Sequence, residues 1–307
     1  MKAAGERSIE APDNTWRAAL LGRRHSGLAI IAASYFFALL FGISVFLSVD
    51  AGLFFRILAA DVAATVLIWS ISLICQNASV YDPYWSVQPL AILGLLMIGR
   101  EVSPAAIAFF MLIAVWGIRL TANWVRTFKG LGSQDWRYDM IKEISGPLYP
   151  IANLLGIQMM PTAIVFGCIL PGVVVITEGA TFSLTASAGL LMIAAGIALE
   201  AVADMQMHAF RKEAKDRKKI IRTGLWMHSR HPNYLGEIMV WWGTYAFMLA
   251  SHPDRWFLVA GTLANTALFL FISVPMAERQ LAKYKMGFAE YVEETRMFLP
   301  WPKRRTA

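Results

Sequence analysis

The sequence predicts an all-α protein: a polytopic transmembrane helical bundle of about eight helices, with both termini in the cytoplasm. Three observations carry this expectation. Hydrophobic residues make up 57% of the 307 positions and charged residues only 16%, with a mean hydropathy of +0.51. A soluble domain carries roughly 25% charged residues, so the composition argues against a soluble enzyme and against disorder. The apolar residues fall in continuous runs rather than alternating with period two, which selects helices over a membrane barrel. Finally, Lys and Arg are concentrated in every second loop, as the positive-inside rule requires.

Taken in order, residues 1–26 are polar and hold Arg7, Arg17, Arg23 and Arg24. They read as a cytoplasmic N-terminal segment. The run that follows, 27–48, is longer than a signal h-region, so a retained helix is expected rather than a cleaved signal. Further runs lie at 53–75, 85–99, 104–125, 150–177, 184–203, 233–250 and 256–276. A bilayer core needs about 20 helical residues. The run 85–99 is short and contains Pro89, so seven spans is the alternative if it is re-entrant.

The loops at 1–26, 76–84, 126–149, 204–232 and 277–307 together hold 24 of the 28 Lys and Arg. The net charge of +7 is thereby explained by topology, and no nucleic-acid partner is expected. The loop 204–232 carries the basic run Arg211, Lys212, Lys215, Arg217, Lys218, Lys219 and Arg222, which also suits anionic membrane lipid. Residues 27–307 read as a single membrane domain without internal repeats. Cys75 and Cys168 sit inside apolar runs, so neither a disulfide nor a thiolate metal site is expected.

Ionisable groups at membrane depth mark pockets, relays or pairs. Asp61, Arg119, Glu200, Asp204, Glu237 and Glu278 are of this kind. Glu200 and Asp204 are spaced i, i+4 and share a helix face, with Arg211 two turns on. Residues 229–237, Ser-Arg-His-Pro-Asn-Tyr-Leu-Gly-Glu, pack polar groups against the start of a hydrophobic helix. Pro232 suits its first turn, Asn233 and Glu237 are again i, i+4, and Tyr234 lies beside them. Such a helix mouth favours phosphate, with Arg211 and Arg230 as candidate forks. Arg119 and Arg137 either serve phosphates or pair with Asp135 and Asp139. The aromatic and basic residues toward the end, including Trp301, fit membrane anchors. No dinucleotide-binding glycine fingerprint, P-loop, zinc motif or serine elbow occurs, and no metal is expected.

At residues 229–237 the sequence resembles a superfamily of membrane steroid 5α-reductases, sterol reductases and isoprenylcysteine carboxyl methyltransferases. Further motifs narrow the resemblance to the bacterial branch of the steroid 5α-reductase family, of the DUF1295 type. These are Trp116-Gly117-Ile118-Arg119-Leu120, Gln134-Asp135-Trp136-Arg137-Tyr138, Asp204-Met205-Gln206, Trp241-Trp242-Gly243, Pro275-Met276-Ala277-Glu278, and Phe288-Ala289-Glu290-Tyr291 with Phe298-Leu299-Pro300-Trp301.

The resemblance implies an NADPH-dependent reductase of a conjugated C=C bond in a steroid-like or other lipid-soluble substrate, in a bacterial inner membrane with the cofactor site facing the cytoplasm. It places the substrate side at about 53–125 and the cofactor side at about 126–307. Carried over by position, the NADPH site falls on Asp204, Arg211, Asn233, Glu237 and Arg279, with Arg230, His231, Tyr234, Arg119 and Arg137 around it. Trp85 and Gln88 match the substrate-side Trp and Gln. The carboxyl–phenol pair that hydrogen-bonds the steroid ketone in the animal enzymes falls on Pro89 and Trp116 here. The candidate donors to the enone oxygen are therefore Gln88, Tyr84 and a protonated Asp82. An S-adenosylmethionine-dependent lipid or prenylcysteine methyltransferase, and a non-catalytic lipid-binding relative, stay open as alternatives.

Overall fold

The computed structural model describes residues 21–214, 216 and 218–298. Arg7, Arg17, Lys215, Arg217 and residues 299–301 of the terminal motif lie outside the described residues, as does most of the 1–26 segment. The described chain is all-α; its one departure is an isolated bridge between Ser229 and Arg296.

All eight apolar runs are helical. They form α1 (Arg24–Ser48), α2 (Leu53–Cys75), α3 (Tyr84–Met97), α4 (Pro104–Thr127), α6 (Met160–Glu178), α7 (Leu184–Glu213), α8 (Pro232–Ser251) and α9 (Val259–Leu268). Between α4 and α6 the expected loop contains an amphipathic helix, α5 (Trp136–Ser145). Asp135 starts it by accepting from the Arg137 N–H at 2.9 Å, and Gly146 ends it at φ +51°. A π-helical turn, Asn153–Met159, leads into α6, and another, Phe269–Ser273, leads from α9 into α10 (Val274–Tyr284). A short α11 (Phe288–Glu294) follows.

Among the described residues six helical stretches are long and apolar enough to cross a membrane, which makes this an integral membrane protein of the polytopic type. The two apolar helices outside that set are α3 and α8. At 14 residues α3 is about 21 Å long, short of the roughly 30 Å hydrocarbon core. In α8, Asn233, Tyr234, Glu237 and two tryptophans dilute the apolar run.

The chain divides into two compact units, and the division falls at the head of α3, within α4 near residue 121, and at the head of α6. The first unit holds α1, α2, the link to Tyr84, and the described residues of 122–160. Its core contact is α1 on α2, where Gly42 lies against the Ala60 carbonyl and Ala64. Asn77 clamps the following turn. Its Oδ1 accepts from Ser79 N at 2.8 Å, and its Nδ2 donates to the carbonyls of Leu131 and Ser133 at 2.8 and 3.1 Å.

The second unit holds residues 85–121 and the described residues from 161 onward. Its dominant contact is α7 on α8. Gly189 and Gly196 on α7 are seven residues apart, as are Gly236 and Gly243 on α8, so each pair forms a smooth stripe. A Cβ on Gly236 would come within 2.5 Å of Glu200 Cγ and 2.7 Å of the Gly196 carbonyl. A Cβ on Gly189 would meet the Phe247 backbone at 2.6 Å. Small residues let helix backbones approach this closely in a membrane, where the gain is packing rather than escape from water. Gly167 of α6 and Gly261 of α9 make a second contact of the same kind.

Gly236→Ala should therefore destabilise the detergent-solubilised protein by about 1–3 kcal/mol through overpacking. Gly52→Ala, where an added Cβ meets nothing within 4 Å, should leave the melting temperature within about a degree. Equal melting temperatures for the two variants would contradict the close α7–α8 contact.

Candidate functional site

Within the second unit, three helices bring the intramembrane charges to one level. On α4, Trp116 and Arg119 are one turn apart. Arg119 Nη1 donates to Asp204 Oδ2 at 2.9 Å, and its Nη2 pairs with Glu200 Oε2. Both carboxylates stand on α7, so the i, i+4 spacing read from the sequence is what lets one guanidinium span them. Glu200 is 2% exposed, and burial without a cation would cost several kcal/mol. Arg119 thus answers the sequence question with a partner other than Asp135 or Asp139.

One turn toward the apolar side, the fully buried Trp116 donates its indole N–H to Glu237 Oε2 at 2.8 Å. Trp241, one turn along α8, donates to Glu237 Oε1 at 2.7 Å. The two indoles meet edge to face with centroids 5.0 Å apart, and Trp85 stands 6.3 Å from Trp116. Asp204 and Glu237 therefore belong to one constellation, linked through Arg119, Trp116 and the Glu200–Gly236 contact. Gln88 is buried in the same unit.

A second cluster sits at the start of α8. Arg230 Nε donates to Glu278 Oε1 at 2.7 Å, and its Nη1 donates to the Thr295 carbonyl. His231 Nε2 lies 3.0 Å from the same Glu278 oxygen, and its ring stacks on Tyr234 at 5.3 Å. The N–H groups of Arg230 and His231 donate to the carbonyls of Arg296 and Met297 at 2.9 and 3.2 Å. Arg230, the expected phosphate fork, ties the C-terminal segment to the helix mouth here. Asn233 is partly exposed at the second position of α8.

Arg211 and Arg279 are exposed. Arg211 lies near Lys285, whose ammonium pKa is lowered by burial and then by the Arg211 charge. The Asp216 carboxylate acts on the same ammonium in the opposite direction and offsets part of this crowding.

In the first unit Asp82 accepts from the Tyr138 hydroxyl at 2.6 Å and from Trp124 Nε1 at 3.4 Å. It lines a cavity of about 240 Å³ with Ser79, Phe128, Lys129 and Asp135. Removal from water pushes its pKa up to about 6, against the downward pull of the Tyr138 and Ser79 hydroxyls. Tyr84, the neighbouring candidate, donates to Asp61 Oδ1 at 3.1 Å. Arg137 pairs with Asp135 at 2.8 Å.

Two further groups belong to the site region. Trp241, of the Trp241-Trp242-Gly243 motif, engages Glu237 one turn away on its own helix. Asn265 is a buried amide on α9, and an Asn inside the apolar run 256–276 is its signal in the sequence.

The Asp82 carboxyl holds its proton more tightly in the folded chain than in the unfolded one, where its pKa is the ordinary 3.8. The associated stability is complete below that value and is lost as pH rises toward about 6. Asp82→Asn should remove this slope, so the variant gains about 1–2 kcal/mol on the wild type between pH 4 and pH 7. Thermal melts of both proteins across that range check it; parallel curves would refute it.

Of the comparisons with known proteins one shows a family, and none bears on activity. A curated protein of Schizosaccharomyces pombe, "Uncharacterized protein C594.04c", is 25% identical over 210 residues, covering 59% of this chain. The match spans 60% of that relative's own length. No solved structure matches the chain significantly. The profile of one family, described as "Protein of unknown function (DUF1295)", matches residues 68–295, most of the chain and the whole constellation above; the chain belongs to the DUF1295 family.

Proposed function

We propose that this membrane protein is an NADPH-dependent reductase of a conjugated C=C bond in a lipid-soluble, steroid-like or other enone substrate. The observation that carries the reading is the convergence of Asp204 and Glu237, from successive helices, with Arg119 and Trp116. The sequence resemblance assigns Asp204 and Glu237 to the cofactor, and two residues on unrelated faces would not have supported it. In this reading the membrane is a bacterial inner membrane, with the mouth of α8 on the cytoplasmic side.

The residues present fit a dinucleotide phosphate group. Arg211 and Lys285 crowd two positive charges together, and Arg279 adds an exposed third on α10. Asn233 offers an amide at the head of α8, where backbone N–H groups and the helix dipole favour negative charge. Arg230 and His231, both engaged with Glu278, position the mouth rather than grip the phosphates. Asp204 and Glu200 fix Arg119, and Glu237 fixes two indoles that wall the site with apolar surface. When bound, the cofactor supplies a hydride. The chain's part is to orient the ring, exclude water, and set a hydrogen-bond donor at the oxygen where charge gathers.

Purified in detergent, the protein should be stabilised by NADPH and more weakly by NADH, because a ligand that binds only the native state raises the apparent melting temperature. Stabilisation by S-adenosylmethionine alone would overturn the reductase reading in favour of a methyltransferase. Arg211→Ala and Asn233→Ala should each weaken NADPH binding by about tenfold, the loss of one charge-assisted or buried hydrogen bond. Lys218→Ala and Lys219→Ala should change it by less than about threefold. Equal losses in all four variants would move the ligand from the helix mouth to the basic loop.

A further inference from the structure

We infer that Asn265 of α9 is a hydrogen-bond donor to the carbonyl oxygen of an apolar, membrane-soluble ligand, seated at the depth of Glu237. The inference rests on the reductase reading for the identity of that carbonyl as the enone's. It stands on its own residues for the existence of the donor.

The register of α9 on α8 fixes the depth. Thr262 Oγ1 reaches the Trp241 carbonyl at 3.5 Å. Seven residues on from Thr262, at the first residue of the π-helical turn that continues α9, the Phe269 ring meets Tyr234, seven residues back along α8, with centroids 4.9 Å apart. The two helices therefore run antiparallel in a constant register. Thr262, Asn265 and Phe269 lie on one helical face, the face turned toward α8. The same register sets Asn265 opposite Glu237 and Ile238.

Asn265 is 4% exposed, and its Nδ2 is fully buried with no hydrogen-bond partner among the described residues. Its polar neighbours differ. Thr266 Oγ1 donates to the Thr262 carbonyl at 2.9 Å and accepts from Trp242 Nε1 at 3.1 Å. Cys168 Sγ lies 3.3 Å from the Gly261 carbonyl. The surroundings are thus internally satisfied, while the amide keeps an N–H for something else.

A buried donor without an acceptor is costly and is rare in folded proteins. The π-helical turn Phe269–Ser273 begins four residues on, and such turns recur at functional sites. A neutral amide can lend a proton to a carbonyl oxygen in an apolar setting without bringing a charge there. It would act as the charge on the oxygen grows and would not itself be transferred.

The test uses the whole protein in detergent, with progesterone carrying ¹³C at the 3-carbonyl as the probe. Infrared difference spectra should show the bound carbonyl shifted to lower frequency in the wild type, and unshifted from its apolar-solvent position in Asn265→Leu. The leucine variant should melt at or above the wild-type temperature, since it replaces an unsatisfied amide by an apolar group of like size. Where the enone is reduced, kcat/KM in that variant should fall about 100-fold, as for removal of one oxyanion donor, while the NADPH-induced thermal shift persists.

An identical carbonyl shift in both proteins overturns the inference, and so does the absence of probe binding to the wild type. A melting temperature several degrees lower in Asn265→Leu also overturns it, because the amide would then be serving the fold. The NADPH thermal shift of the wild type is scored separately. If it is present, the reductase reading survives the loss of Asn265; if it is missing, that reading fails whatever the carbonyl does.

Discussion

The close contact of α7 with α8 is the constraint on which the rest of the second unit depends. Glycines at 189, 196, 236 and 243 remove the side chains that would hold two helix backbones apart. Once the backbones touch, the side chains just beyond the contact have few places to go. Glu200 lies against Gly236, one residue before Glu237, so acidic groups from both helices occupy the same level. A single methyl group on Gly236 would occupy the space that the Glu200 side chain now fills.

Two carboxylates at one level of α7, within a membrane bundle, require a cation at that level. Arg119 is the group that supplies it, and its planar fork can face Glu200 and Asp204 together, as a lysine could not. The arrangement is not an argument for high stability. Buried ion pairs break about even against apolar side chains, and only the loss of one partner is strongly destabilising. Its effect is on position. Arg119 fixes α4 in azimuth against α7, and one turn away this delivers the Trp116 indole to Glu237. The carboxylate then accepts from two tryptophans. A polar group is thereby held inside an aromatic wall, where it has direction but little contact with water.

The sequence made much of this legible, for definite physical reasons. Every apolar run became a helix because in a bilayer the backbone must satisfy its own hydrogen bonds, which leaves few choices. The shared face of Glu200 and Asp204 followed from helical period alone. Partners across helices were not legible: Arg119 and Glu200 are 81 residues apart, and periodicity says nothing about which helices adjoin. The α5 helix hides within an expected loop, because its mixed charges look like a solvated connection until Asp135 is seen capping it. Arg230 stands at a helix mouth, where a phosphate fork is expected, and nothing in the sequence shows that Glu278 and the carbonyl of Thr295 engage it. Asn265 was hidden by its surroundings, an apolar run whose hydropathy one amide scarcely changes.

The polar groups along α8 form a graded series, and the grading has a chemical logic. At its head, Arg230, His231 and Glu278 make a charged knot among backbone carbonyls. Further in, Glu237 is the last carboxylate on the helix, and its oxygens accept from indole N–H groups. At the same depth on α9 the polar group is a neutral amide. Along α8 and α9 formal charge gives way to dipoles, the order in which desolvation penalties rise, while the ion pairs at the level of Glu237 belong to α4 and α7. A ligand with a charged end and an apolar end would meet matching chemistry at each level, whereas a uniformly polar or uniformly apolar one would match only one part of the series.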